Sequence, residues 1–297
     1  MKILKTPADR FLNLPDYPFE PHFLPVDDGL EMHYIDEGPT DGEVVLMLHG
    51  EPSWSYLYRF MIPVFVDQGY RAIAPDLIGF GKSDKPTEQA DYTYQRHRDW
   101  VWNFIEALSL KDITLVCQDW GGLLGLRLAG EYPDRFARIS ASNTFLPTGQ
   151  MPMPKSFKEW QQFAATAPAF DVGRILQRAT VRELSEAEVA AYNAPFPDDS
   201  YQAGARVFPA LVPTTEDQAG APENREAWKT LQQWEKPFQT AFGDSDPITR
   251  GAEKIFQAMI PGCKGQSHER LPDGGHFVQE DQGKAWAEKV VAMMQAS

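Results

Sequence analysis

Residues 117–122 could carry out covalent chemistry, because they read Cys-Gln-Asp-Trp-Gly-Gly and directly follow the apolar run Ile113–Val116. This order is typical of a nucleophile elbow, a strand-to-helix turn that exposes one side chain above a sheet. Such a turn needs small residues two positions before and two positions after the exposed residue, and Cys117 and Gly121 meet that need. The exposed side chain is therefore predicted to be the carboxylate of Asp119.

A carboxylate nucleophile limits the reactions that such a turn can support. It attacks a saturated, electrophilic carbon by displacement and leaves an alkyl ester on the protein, which favours dehalogenation or the opening of an epoxide. Hydrolysis of an acyl ester would instead need Ser at position 119. The alkyl ester must then be hydrolysed by a general base, with an acid to orient the base and backbone donors for the oxyanion. In hydrolases with this elbow, the acid and then the histidine follow the nucleophile along the chain.

The candidate base is His276, which lies in the stretch Asp273–Phe277 just after the last predicted strand. The glycines before it would let this loop place the imidazole over the nucleophile. The other histidines lack this combination of position and loop; they are His22, His33, His49, His97 and His268. We therefore predict that His276 activates the water that hydrolyses the ester.

The candidate acid is Asp246, which follows the predicted strand Phe238–Phe242 and precedes His276 by 30 residues (276 − 246). Its carboxylate would accept the Nδ1–H of the imidazole, fix the tautomer and stabilise the imidazolium. Asp244 is the alternative, but we expect it to shape the turn, because an Asp before Ser often forms an Asx turn. The alternative acid position, after the sixth strand, holds Asn143-Thr144, which contains no carboxylate.

Two backbone N–H groups are predicted to stabilise the oxyanion. One belongs to Glu51 in the loop His49–Pro52, since Pro52 has no N–H to donate. The other belongs to Trp120, the residue after the nucleophile. We expect His49 to brace this loop and not to act as the base.

The leaving group separates dehalogenation from epoxide opening. An alkoxide needs an acidic O–H donor, whereas a halide is suited to indole N–H groups, which only donate and which lie in apolar walls. Trp120 lies beside the nucleophile and Trp160 could supply a second indole, although ordinary packing would also explain Trp160. Tyr192 and Tyr201 could serve an epoxide, so an epoxide hydrolase with the same Asp nucleophile remains an alternative. A non-catalytic relative that binds an apolar ligand is another.

Alternating strand and helix patterns would position these residues, which indicates an α/β fold with a parallel sheet buried on both faces. The predicted strands are Leu30–Asp36, Glu43–Leu48, Arg71–Pro75, Ile113–Gln118, Phe136–Ala141, Phe238–Phe242 and Ser267–Leu271. The predicted helices are 55–68, 94–108, 122–131, 223–233, 251–260 and 282–294.

Residues 147–222 interrupt this alternation. They are rich in Pro, Ala and Phe, show short helical stretches such as Phe157–Ala165 and Ser185–Tyr192, and lack any core-strand pattern. We predict a helical cap at 147–222 inserted into a core domain made of residues 1–146 and 223–297. A separate second domain is disfavoured, because sheet elements on both sides of the insertion are needed to complete the fold.

Charge and composition exclude several classes of protein. The net charge of −14 and the lack of a Lys/Arg cluster argue against a nucleic-acid partner. Only two cysteines are present, Cys117 and Cys263, and no segment resembles a signal peptide or a membrane span. We therefore expect a cytoplasmic protein with no membrane association, and by default a monomer. No metal or organic cofactor is expected, because no Cys, His and carboxylate cluster has metal-ligand spacing.

Several motifs resemble the haloalkane dehalogenases, a family within the α/β hydrolases. The similar stretches are His49–Arg59, Gly79–Pro86, Gln118–Gly122, Ala194–Asp198, Ser200–Gly204 and Gly275–Glu280, so the resemblance covers nearly the whole chain. It implies an eight-stranded, mostly parallel sheet with an inserted helical cap. It also implies hydrolysis of a haloalkane to alcohol and halide, with water as co-substrate, through an alkyl ester on Asp119.

Within this family the chain is most similar to the branch typified by the 1,2-dichloroethane-degrading enzyme. That branch has Glu after the His-Gly pair, where other branches carry Asn as a halide ligand. The resemblance implies that Trp120 and Trp160 hold the halide and that Asp246 is the acid. It further implies that the apolar walls of the substrate pocket include Phe157, Phe196 and Pro197.

Overall fold

Short apolar runs form the central strands of the fold. In the computed structural model, which describes residues 1–297, every residue of Val44–Leu48 and Ile113–Gln118 is buried. Strands covered on both faces by helices need no polar alternation, which explains why these runs are mostly apolar. In chain order the strands of the main sheet are β1 (His22–Val26), β2 (Leu30–Glu37), β3 (Val44–Leu48), β4 (Arg71–Pro75), β5 (Ile113–Gln118), β6 (Phe136–Ser142), β7 (Phe238–Gly243) and β8 (Glu269–Leu271).

These eight strands form one sheet in the order β8-β7-β6-β5-β3-β4-β2-β1. β1 pairs with β2 and β2 with β4 in antiparallel fashion, and the other neighbours pair in parallel. The eight-stranded, mostly parallel sheet is therefore confirmed. Because the parallel strands all end at the same edge, the loops after β3, β5, β7 and β8 meet there.

Helices pack on the sheet and above its carboxyl edge. They are α1 (Ile62–Asp67), α2 (Tyr94–Ala107), α3 (Trp120–Glu131), α4 (Lys155–Thr166), α5 (Val172–Ala179), α6 (Glu186–Asn193), α7 (Ala203–Leu211), α8 (Ala221–Leu231), α9 (Ala252–Met259) and α10 (Val278–Gln295). Residues 147–222 contain α4 to α7 and none of the eight strands. No helix is both long enough and apolar enough to cross a membrane.

Two local expectations need correction. The predicted helix 55–68 is split into a 3₁₀ turn, Ser55–Tyr58, and α1, because Pro63 is tolerated only in the first turn of a helix and cannot sit in the middle of one. The final helix begins at Val278 and not at 282. Gln282 departs from helical geometry (φ −138°, ψ 26°), so the predicted start lies at an irregular position within α10.

A buried ionic cluster joins the inserted helices to the core. Arg59 of the core and Glu280 at the start of α10 have fully buried side chains that form an ion pair. Arg59 Nη2 also donates to Glu188 Oε1 of α6 at 2.9 Å. Glu280 further accepts hydrogen bonds from Arg182 and from the Tyr192 hydroxyl. Since each buried charge has an opposite partner, separation of the two parts would leave uncompensated buried charges.

Candidate active site

The nucleophile elbow has the backbone geometry that its sequence predicts. Asp119 lies between β5 and α3 with φ 50° and ψ −124°, a conformation that L-residues rarely adopt. A Cβ atom at Gly121 would lie 1.9 Å from the carbonyl oxygen of Leu48, so only glycine fits there. Asp119 faces the cavity, with 22% of its side chain exposed. The strained turn thus presents the carboxylate to a substrate.

His276 lies between two carboxylates. Its Nε2 is 3.4 Å from Asp119 Oδ2, and its Nδ1 is 3.2 Å from Asp246 Oδ2. Asp246 is buried and is oriented by the backbone N–H of Ile248, which donates to Asp246 Oδ1 at 2.8 Å. Asp244 instead accepts a hydrogen bond from Ser245 Oγ at 3.0 Å. The structure therefore brings Asp246, and not Asp244, to the imidazole.

The two carboxylates determine the charge of His276. Burial alone would lower the pKa of this imidazole, but Asp246 and Asp119 outweigh burial and raise that pKa to about 10. Burial likewise acts to raise the pKa of Asp246, but the facing His276 and hydrogen bonds from Thr249 and Ile248 lower it to about 2. At neutral pH, His276 is thus a cation and Asp246 an anion before substrate reacts.

The loop after β3 supplies a backbone donor to the Asp119 carboxylate. The N–H of Glu51 donates to Asp119 Oδ1 at 2.8 Å. The second predicted donor, Trp120, is the first residue of α3, so its N–H is among those that a helix leaves without an internal acceptor. Both donors therefore lie next to the nucleophile.

His49 fixes the orientation of the Glu51 N–H. His49 Nε2 accepts the N–H of Leu77 at 2.9 Å, so the proton of the neutral ring must lie on Nδ1. Nδ1 then donates to the carbonyl oxygen of Gly50 at 2.9 Å, and Ser53 Oγ donates to the same oxygen at 2.7 Å. Because a trans peptide is planar, this carbonyl points the Glu51 N–H in the opposite direction. His49 thus positions the loop.

Asn143 also belongs to this site, although its sequence position indicated only the lack of a carboxylate there. Its Nδ2 donates to the carbonyl oxygens of Gly275 (2.7 Å) and His276 (3.0 Å), while its Oδ1 accepts the N–H of Gly243 at 2.9 Å. Its own carbonyl oxygen accepts the N–H of Asp119 at 3.0 Å. One residue therefore connects the loops that carry Asp119, Asp246 and His276. The sequence feature that could have indicated this role is an Asn directly after a buried strand, at a position where an acid could have been.

The site opens into a cavity of about 380 Å³ between the sheet edge and the inserted helices. Its wall is mainly apolar and includes Leu123, Phe145, Phe157, Trp160, Ile175 and Val212. Asp119, Trp120 and His276 also face it. No tyrosine lines the cavity, and Tyr192 is instead bonded to Glu280 in the buried ionic cluster.

The pocket assignment of Phe196 and Pro197 is corrected by the structure. Neither residue lines the cavity, since Phe196 is buried in the hydrophobic core and Pro197 is exposed. The preceding carbonyl of Pro195 faces the N-terminal segment, where it accepts a hydrogen bond from Thr6 Oγ1 at 2.7 Å. This stretch therefore anchors the N-terminal segment. Of the three residues predicted for the pocket wall, only Phe157 lines the cavity.

The two candidate halide donors have different surroundings. Trp160 Nε1 donates to Glu51 Oε2 at 3.2 Å. The Trp120 indole packs against Tyr94 and Phe208. No group of three or more His, Cys, Asp or Glu side chains is arranged to hold a metal ion.

Comparison with known proteins agrees with this geometry. A family model described as the α/β hydrolase fold matches residues 43–282. A haloalkane dehalogenase from Psychrobacter cryohalolentis is 57% identical over 98% of this chain and 97% of its own. One from Mycolicibacterium paratuberculosis is 51% identical over 100% of this chain and 99% of its own. The tetrameric structure of haloalkane dehalogenase DpaA from Paraglaciecola agarilytica matches with a TM-score of 0.92 at 38% identity, covering 98% of each chain.

The fold defines an α/β hydrolase, and the elbow of this chain carries a carboxylate, Asp119. Within that class, the chain belongs to the haloalkane dehalogenases. It is accordingly a hydrolase that acts on carbon–halide bonds, and the resemblance drawn from its motifs is confirmed.

Proposed function

We propose that Asp119, His276 and Asp246 carry out hydrolytic dehalogenation in two covalent steps. The observation that carries this proposal is the position of the Asp119 carboxylate at the cavity, with the Glu51 N–H at 2.8 Å from one oxygen and His276 Nε2 at 3.4 Å from the other. In the first step a carboxylate oxygen bonds to the substrate carbon. The carbon–halogen bond breaks, and the halide leaves with the bonding electron pair.

The second step regenerates Asp119. His276 takes a proton from water, and the resulting hydroxide equivalent attacks the carbonyl carbon of the ester. The backbone N–H groups of Glu51 and Trp120 stabilise the oxyanion, each contributing roughly 3–4 kcal/mol as oxyanion-hole donors do elsewhere. When the intermediate collapses, the bond between the carbonyl carbon and the alkoxy oxygen breaks and His276 gives its proton to the leaving alkoxide. The alcohol thus carries the oxygen that Asp119 had supplied, and the carboxyl group keeps one solvent oxygen.

The first step prepares the base for the second. In the free enzyme His276 keeps its proton because Asp119 and Asp246 flank it. Esterification removes the charge of Asp119, so one of the two anions that favour the imidazolium is lost and the pKa of His276 falls. The lower pKa favours release of the Nε2 proton to solvent, which frees His276 to act as a base while Asp246 still holds its Nδ1–H. Formation of the ester thus activates the residue that hydrolyses it.

The leaving halide is proposed to lie between the indole N–H groups of Trp120 and Trp160. Both residues line the cavity beside Asp119. An epoxide hydrolase would need an O–H donor for its alkoxide, and the absence of tyrosine from the cavity wall disfavours that alternative. Glu51, Trp160 and Asp246 together also support the proposed branch within the family.

Replacing Trp160 by Phe should weaken bromide binding by about tenfold or more, because hydrogen bonds to charged groups contribute about 1.5–3 kcal/mol. The measurement is the inhibition constant of bromide in a steady-state assay of alcohol formation. Trp102→Phe is the matched control, since Trp102 stacks on Tyr132, away from the cavity, and should leave the constant unchanged. Equal inhibition of wild type and Trp160→Phe would assign the second donor to another residue.

We further propose that residues 147–222 form the cap of a core made of 1–146 and 223–297. α4 and α5 contribute Phe157, Trp160 and Ile175 to the cavity wall, which supports a cap that encloses the substrate. A cytoplasmic location agrees with two buried cysteines that form no disulfide. The monomeric state remains our proposal, although the DpaA structure is described as tetrameric.

A further inference from the structure

The carboxyl group of Glu51 uses the same indole N–H that a halide needs. Its Oε2 accepts the Trp160 N–H at 3.2 Å, and the residue lines the cavity although only 4% of it is exposed. Its Oε1 is buried without any hydrogen-bond partner. A buried oxygen with no partner is costly unless the group carries a proton or gains a ligand. Glu51 is therefore an unsatisfied polar group at the proposed halide site.

The surrounding charges show which form of Glu51 can coexist with a halide. The nearest charged groups are Asp119 at the elbow and His276 in the loop after β8, and α4 contributes only the neutral Trp160. The other charged side chain on the cavity wall, Arg250, is exposed and donates to the carbonyl oxygen of Asp244 at 3.0 Å. Glu51 therefore has no cationic hydrogen-bond partner of its own. An ionised Glu51 would place a second anion directly against the departing halide.

Burial and the charge of Asp119 raise the pKa of Glu51 well above its usual range, although Trp160 and His276 oppose the shift. The raised pKa favours the neutral carboxyl group, which has an O–H to donate. Because the group is buried beside the cavity and its other oxygen accepts the Trp160 N–H, that O–H can replace a water molecule that a halide loses on entering the cavity.

Building on the halide site proposed above, we propose that protonated Glu51 is a third ligand of the halide, donating its O–H beside the Trp120 and Trp160 indoles. Halide then binds only the form of the enzyme in which Glu51 carries its proton. The affinity for halide is highest below the pKa of Glu51 and falls tenfold for each pH unit above it. Glu51, the residue after the His-Gly pair, thus supplies a donor because its carboxyl group carries a proton.

The test compares bromide inhibition of wild type, Glu51→Gln and Glu51→Leu across neutral and alkaline pH. Gln keeps a donor but cannot ionise, so its bromide affinity should match that of wild type at neutral pH and fall less steeply at high pH. The decrease in bromide affinity that remains in Glu51→Gln reflects loss of the proton from His276, which both proteins retain. Leu fills similar space without a donor, so bromide should bind about tenfold or more weakly at neutral pH.

Two results would overturn the role of Glu51: equal pH dependence of bromide affinity in wild type and Glu51→Gln, or equal affinity of the Leu and Gln variants. Either comparison suffices if the third protein fails to fold. Failure of bromide to inhibit wild type at any pH would instead refute the halide site itself. The two proposals can therefore fail separately.

Discussion

Replacing His276 by Gln should stop turnover and trap an alkyl group on Asp119. Displacement does not need a base, because the attacking group is a carboxylate and the halide leaves without a proton. Hydrolysis of the ester does need a base. Loss of a general base typically slows a reaction step by about 10²–10⁴-fold, and we expect the second step to slow by a factor in this range. Intact-protein mass spectrometry of the variant after incubation with a bromoalkane should show one added alkyl group, and peptide mapping should locate it on Asp119.

The control is His22→Gln, because His22 is exposed in β1 and lies far along the chain from the elbow. This variant should turn over normally and show no adduct. Halide release from His276→Gln should stop after one equivalent per enzyme. Absence of an adduct, with no such burst of halide, would contradict a covalent first step.

Asp246→Asn should lower the rate of ester hydrolysis by about 10⁴-fold, the effect of the equivalent change in a Ser-His-Asp triad. The carboxylate accepts the Nδ1–H of His276 and receives the backbone N–H of Ile248 at 2.8 Å. An Asn amide that kept the Ile248 bond would turn its NH₂ toward Nδ1. That would move the ring proton to Nε2, the nitrogen that must accept a proton from water. Single-turnover kinetics should show a normal halide burst followed by slow alcohol release.

Asp244→Asn is the matched control for this change, two residues away on the same loop. The Asp244 carboxylate bonds Ser245 and does not contact His276, so activity should change by only a few-fold. A large loss of activity in Asp244→Asn with a small loss in Asp246→Asn would show that Asp244, and not Asp246, is the acid.

The elbow and the order of the catalytic residues could be predicted because each signal is local. Asp119 lies where an apolar strand meets a helix, and the small residues around it are visible in the sequence. The glycines before His276 and the strand before Asp246 are equally local. The family motifs then extended this reading to the whole fold, and the comparisons confirm both fold class and activity.

The features that the sequence did not reveal depend on contacts between distant segments. β1 was not predicted, because Pro25 makes the segment unlike a strand, yet an edge strand tolerates a proline, and its pairing with β2 holds it in place. Phe196 was assigned to the pocket by resemblance, whereas it is buried in the hydrophobic core, and the carbonyl of the preceding Pro195 is bound by the distant Thr6. Asn143 bonds groups 100 or more residues away, which no local pattern reports.

Hydrolysis through an ester on Asp119 transfers an oxygen atom from this residue to the product. The most direct test is one turnover of a bromoalkane by excess enzyme in heavy-oxygen water, followed by mass analysis of both the alcohol and the peptide that contains Asp119. We predict an alcohol with ordinary oxygen and an Asp119 side chain that has gained one heavy oxygen atom. Heavy oxygen in the alcohol from this first turnover, with an unlabelled Asp119, would contradict the ester mechanism.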